Sequence, residues 1–280
     1  MIENQKQNIG DNSTAIQVKG NLSIGSSYTD IKEIFLDLFE LNFPKIQEVA
    51  AQTARNRVDN LLEEMRESFQ KHKELIDIEK FEEPSVQYEM QAMTVNAAKR
   101  GDKSNYKLLS EILCTSISKD CPEIIELISS EALSVIPSLN KIHIDYLSLK
   151  ILIHEAKMPN NPLDYININI KPTLNSITAV KEITISEIQY LSLKRVLEPM
   201  GFVYVEIIPA LINEYEEIKG KNYETIKDYC RKNNLTNIIE LIELAETKYV
   251  GHYRLTPIGR LIGWMKLAQF SQIEIKELFK

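Results

Sequence analysis

Cysteine and histidine are scarce in this chain. Cys114, Cys121 and Cys230 are its three cysteines, four histidines accompany them, and no C-x-x-C pair occurs. Neither a zinc site nor a disulfide framework is suggested by that pattern, so no metal is predicted and a reducing compartment is expected. Positive charge is also in deficit. Thirty-three lysines and arginines face 40 aspartates and glutamates, giving a net charge of −7 and a pI near 5.4. That balance argues against broad adhesion to DNA, RNA or anionic lipid, because non-specific binding scales with the cations that neutralise phosphates. A local basic patch stays open. No apolar run reaches the ~18 residues that suggest a membrane span, and the opening MIENQKQNIG has no apolar signal-peptide core. A cytoplasmic protein is therefore expected. Glycine is low, at nine residues, which favours helix over a loop-rich body. The phosphate-cradling and dinucleotide glycine loops, the paired-histidine zinc motif and the Gly-x-Ser-x-Gly elbow are all missing. No catalytic residue and no cofactor-binding residue is predicted.

What is present begins with Asn8 to Ile24, which differs from the rest of the chain. Gly10, Gly20 and Gly25 fall here, and between them run two short apolar/polar alternations, Ala15-Ile16-Gln17-Val18 and Leu22-Ser23-Ile24, a strand pattern. Gly10-Asp11-Asn12 and Lys19-Gly20-Asn21 read as corners, since glycine and asparagine tolerate positive φ. Ile9, Ile16, Val18, Leu22 and Ile24 cannot be buried by so short a segment alone, and an isolated hairpin leaves open edges. Residues 1–28 are thus expected to be a β oligomerisation module acting through Ile9, Gly10, Asn12, Ile16, Val18, Gly20, Asn21, Leu22 and Ile24. The simplest closed form is a trimer.

Helical periodicity fills the region 29–198. Asp30 and Glu33 read as a capping box for a helix to about Asn42 with Ile31, Ile34, Phe35, Leu38 and Leu41 on one stripe. A long helix is predicted from Pro44 to about Lys71, with Ile46, Val49, Ala50, Val58, Leu61, Leu62, Met65 and Phe69 inward. Its opposite face, with Arg55, Arg57, Glu63, Glu64, Arg66 and Glu67, reads as solvated, the alternative being a seam between protomers. Pro84 starts another helix, which runs to Arg100 and stops at Gly101. Lys103 to Ser118, Pro122 to Ile136 and Asn140 to Lys157 follow in the same grammar, as in an antiparallel bundle. DYININI, Asp164 to Ile170, alternates like a short strand, and helices are expected around Asn175 to Lys181 and from a Ser186 cap to Leu197. His143 and His154, on one helix, and His72, in a charged run, read as structural.

The region 199–280 is predicted to be a small α+β part. Phe202 to Val205 reads as a strand, and Pro209 to Lys219, Tyr223 to Lys232 and Leu235 to Thr247 as helices. Tyr253-Arg254-Leu255 reads as a strand entering a helix with Thr256 as N-cap and Pro257 at its first position, and Trp264 as core or interface. Together with Leu197-Glu198-Pro199-Met200-Gly201-Phe202, the run Leu255-Thr256-Pro257-Ile258-Gly259-Arg260 resembles the ending of winged-helix domains, and that of the alpha family of abortive-infection proteins. Some fifty residues inserted between its halves depart from a plain winged helix. If the resemblance extends to function, Lys248, His252, Arg254 and Arg260 are the candidate phosphate contacts. The acidic stretch 209–247 beside them opposes a duplex. The N-terminal Gly10-Asp11-Asn12-Ser13-Thr14-Ala15-Ile16-Gln17 with Gly20-Asn21 resembles a motif opening bacterial proteins of mobile-element and phage-conflict systems.

The fold class expected is mainly α: a helical bundle, an N-terminal β module and a winged-helix-like end. The function expected is a homo-oligomeric scaffold or sensor that contacts itself and another protein, as in phage defence, and is not an enzyme. The alternatives are a DNA-binding regulator and an effector enzyme.

Overall fold

The computed structural model describes residues 28–42, 48–101, 105–158, 161–201 and 207–269. The β module, with Ile9, Gly10, Asn12, Ile16, Val18, Gly20, Asn21, Leu22 and Ile24, lies outside them, as do Ile46 and the strand expected at Phe202 to Val205. The described chain is mainly helical, with one two-stranded antiparallel sheet. In order it forms α1 (Tyr28–Asn42), α2 (Glu48–His72), α3 (Pro84–Arg100), α4 (Tyr106–Ser116), α5 (Glu123–Val135) and α6 (Lys141–His154). After these come α7 (Leu163–Asn169), α8 (Lys171–Ser176), α9 (Ile185–Leu193), β1 (Leu197–Pro199), α10 (Tyr223–Lys232), α11 (Thr236–Thr247), β2 (Tyr253–Leu255) and α12 (Pro257–Ala268).

Helix α6 is the axis of the molecule. Asn140 accepts from the His143 backbone N–H at 3.0 Å while His143 Nδ1 accepts from the Asn140 N–H, closing a reciprocal cap. Every residue from His143 to Ile153 is buried, as expected of a helix whose apolar character extends around its circumference. Its main partner is α12, which also touches α5 and α4, while α2 packs on α3 and α4 and α1 on α3. The buried apolar residues form one cluster from Ile34 to Leu267, so α6 and α12 share a core across residue 198.

Several expectations are corrected. DYININI is helix α7: Leu163, Ile166 and Ile170 are buried at helical spacing while Ile168 points outward, so the 3.6-residue period prevails over the alternation. Residues 209–219 form separate turns, held by Asn213 N–H to Pro209 C=O and Lys219 N–H to Tyr215 C=O. Leu211, Ile212 and Ile218 are their buried anchors, and the acidic stretch between them has no apolar stripe to dock. The cap of α9 is Thr184, whose capping box with Glu187 places Ser186 inside the helix. Lys171 to Glu182 is α8 followed by a 3₁₀ turn, and Leu197–Pro199 is a strand and not a helix end. Tyr28 already lies in α1, so Asp30 is not its cap. Val49 and Ala50 face outward because the buried stripe of α2 begins at Ala54.

Candidate functional site

The residues singled out near the C-terminus converge on the seam of α6, the sheet and α12. In the sheet Leu197 pairs with Leu255, Glu198 with Arg254 and Pro199 with Tyr253. The register sets Arg254 opposite Glu198, and its Nε donates to Oε2 at 2.6 Å. Thr256 then caps α12: its hydroxyl accepts from the Gly259 N–H at 3.2 Å and donates to the Arg195 carbonyl at 2.8 Å. Gly259 and Gly263, one turn apart, let α12 come close. A methyl group at Gly259 would stand 2.0 Å from the Val196 carbonyl oxygen, and one at Gly263 2.7 Å from that of Leu147. On the same helix Arg260 Nε and Trp264 Nε1 both donate to Glu155, at 2.8 and 3.0 Å.

Beneath this surface α6 presents Tyr146, Lys150 and His154, spaced four residues apart along one face. The Tyr146 hydroxyl donates to the Lys248 carbonyl at 3.0 Å, and Lys150 Nζ donates to those of Val250 and Tyr253 at 2.8 and 2.5 Å. Burial brings the Lys150 amine down to about 7, and a neutral amine has two N–H groups for two carbonyls. Burial, helped by nearby Lys150, takes His154 down to about 4, and its Nε2 has no hydrogen-bond partner among the described residues. The segment these groups hold is bent unfavourably, with Tyr249 at φ 54°, and Arg195 before β1 is also left-handed. A bulky residue keeps such a conformation only where its surroundings impose it. Lys150 is fully enclosed, so its amine works as an internal latch that joins the 248–253 segment to the bundle axis.

Each of the conditional phosphate-contact candidates is engaged within the chain. Arg254 pairs with Glu198 and Arg260 with Glu155, Lys248 Nζ donates to the Lys181 carbonyl, and the His252 ring meets the edge of Tyr249. Sequence reasoning brought Arg254 and Arg260 into view but missed the carboxylates facing them. It also missed Lys150, although a lone lysine inside the apolar run Leu147 to Ile153 is a visible signal.

A second polar cluster links α2 and α4. Burial alone would raise the Glu111 carboxyl, but hydrogen bonding and charge from His72, at 2.8 Å, together with Lys71 hold it at about 2. Burial pushes the Cys114 and Cys230 thiols up to about 12 and about 11, away from reactive thiolate. Between α2, α4, α6 and α12 runs an open groove of about 500 Å³ whose rim includes Glu64, Lys107 and Lys266. Among the described residues no His/Cys/Asp/Glu group is placed to hold a metal, and no helix is long and apolar enough to cross a membrane.

A protein-family model described only as ":-like" matches residues 25–194, more than half of the chain. The chain belongs to that family. No curated protein and no solved structure matches it. The family's span covers α1 to α9 and so includes Tyr146, Lys150 and His154, whereas the loop and helix they hold lie beyond it. The seam therefore joins the family's region to the rest of the chain.

Proposed function

We propose that this protein works without catalysis, as a cytoplasmic self-assembling scaffold or sensor that acts through protein contacts in a bacterial phage-defence system. Residues 1–28 are its assembly module, residues 29–198 its helical body and residues 199–280 a winged-helix-like end. The observation that carries the reading is the use made of the two C-terminal arginines and of the Lys150 amine of α6. Arg254 and Arg260 each face a carboxylate of their own chain, and Lys150 faces two carbonyls inside the core. Groups so engaged serve cohesion, and a regulator gripping a duplex would need them turned to phosphate. Assembly is supported by an imbalance at the start of the chain, where Ile9, Ile16, Val18, Leu22 and Ile24 lie in a segment too short to enclose them. Covering each is worth roughly 1.5–3 kcal/mol. A closed ring of copies, most simply three, also removes the open strand edges.

Light scattering on the full chain and its Ile16→Asp variant tests this reading. The variant should fall to a lower mass while its far-UV signal stays helical. An unchanged mass, or a full chain already at monomer mass, overturns it.

A further inference from the structure

One end of the bundle combines exposed aliphatic side chains with a concentration of negative charge. The turn after α2 is tied to the turn after α4: Ile76 bridges Ser118, Asp77 N–H donates to the Ile117 carbonyl and Lys119 N–H to that of Leu75. Lys80 extends the tie, its Nζ reaching the Ser116 carbonyl and the Glu126 carboxylate, both at 3.1 Å. Leu75 and Ile78 on the first turn thus stand at the same end of the molecule as Ile124 and Leu127 on the first turns of α5. These four are between 36% and 59% exposed. Residues 73–83 and 119–126 carry eight carboxylates against three lysines, a net −5 out of the chain's −7. The lysines are engaged inside this end: Lys80 as above, Lys119 Nζ on the Glu74 carbonyl and Lys73 beside the Glu74 carboxylate. Glu79, Glu82, Glu83, Asp120 and Glu123 remain at the exposed surface. Glu89 adds a nearby buried carboxylate, whose Oε2 has no hydrogen-bond partner among the described residues.

We infer that this acidic, aliphatic end is a docking surface for a basic amphipathic segment of another protein. Apolar side chains give such a contact its affinity, and the carboxylate rim selects the sign of the partner and speeds its approach. A nucleic acid or an anionic membrane is repelled. A second copy presenting the same end is repelled too, and residues 1–27 carry two acids and two lysines and so offer no complementary charge. The inference rests on the reading that the chain works by protein contacts and names the kind of partner, but it does not need the assembly module.

The test uses the full chain and a labelled leucine–lysine peptide of about fourteen residues that folds with its leucines on one face. Binding is followed by fluorescence anisotropy at two salt concentrations. The peptide should bind more weakly as salt rises. It should lose about tenfold in affinity to Ile124→Ser/Leu127→Ser, and as much to Glu79→Gln/Glu82→Gln/Glu83→Gln/Glu123→Gln. A peptide of the same composition with leucines scattered should bind at least about tenfold more weakly to the native chain. All substituted side chains are exposed, and an unchanged circular dichroism melt confirms folding; if one set fails to fold, the other decides. Equal binding by both peptides, or full affinity retained by a folded set, overturns the inference. So does a fall in native mass of Ile124→Ser/Leu127→Ser, since the face would then join copies of this chain. A peptide that fails to bind while Ile16→Asp still splits the assembly removes this docking surface and leaves the proposed function standing.

Discussion

Replacing Lys150 by methionine should flatten the dependence of stability on alkaline pH. In the folded protein the amine sits at about 7, against an ordinary value of 10.5, because it is wholly enclosed by α6 and the 248–253 segment. Between those values the unfolded chain holds the extra proton, so stability rises with pH through that window and the gain is complete above about 10.5. Below about 7 both states are protonated, and the folded state bears the full cost of an enclosed charge. At ~1.4 kcal/mol per pH unit, the whole window is worth on the order of 5 kcal/mol. The part between about pH 7 and 9 is worth about 2 kcal/mol. His154, at about 4, adds stability only as pH rises towards its ordinary 6.5, and the Cys114 and Cys230 thiols, raised to about 12 and about 11, act mainly as pH rises beyond their ordinary 9.0. Urea unfolding of native chain and Lys150→Met, followed by the single tryptophan, isolates the lysine as the difference between the two curves. That difference should move by about 2 kcal/mol in favour of the native chain from pH 7 to pH 9. Parallel curves would refute the neutral-amine latch.

Gly263→Ala sets a helix-propensity gain of about 1 kcal/mol against a methyl 2.7 Å from a backbone oxygen and 2.9 Å from Ile151 Cγ1. Overpacking should win, with a net loss of about 1–3 kcal/mol, and a melt as high as the native one would show that α12 can move away from α6. Thr256→Ala should cost roughly 1 kcal/mol through the lost cap and leave any DNA affinity unchanged; loss of specific duplex binding at unchanged melting would sink that. For Glu111, held at about 2 against an ordinary 4.5, stability likewise rises with pH, but here because the folded chain favours the ionised form. Its stabilisation, on the order of 3 kcal/mol, is present above about pH 4.5 and lost as pH falls through about 2. Glu111→Gln should therefore trail the native chain at neutral pH and converge with it in acid, and a constant gap would contradict the ion cluster.

Where one rule dominated, the sequence was legible. Pro84 and Gly101 bound α3 as expected, Thr256 and Pro257 open α12, and Val58, Leu61, Leu62 and Met65 mark the buried stripe of α2. Legibility failed where a local pattern competed with distant partners. Polar and apolar residues alternate through DYININI, yet which of them are buried is decided by neighbours such as α11. Thr184 and Ser186 are both plausible caps, and only Thr184 stands three residues before Glu187, completing the box. At the site, Arg254 and Arg260 could be named only as conditional phosphate contacts and not as ion-pair partners, because Glu198 and Glu155 are 56 and 105 residues away in sequence. No local spacing encodes such pairs. The enclosure of Lys150 depends likewise on residues about 100 positions further on.

The central claim, that the chain works as an assembly built through its first residues, is tested most directly by sedimentation. The 280-residue chain and one beginning at Tyr28 are compared over a range of concentrations. The full chain should hold a mass several times that of its 32.2 kDa protomer, while the shortened chain sediments as a folded monomer. Equal association states for the two would contradict the account.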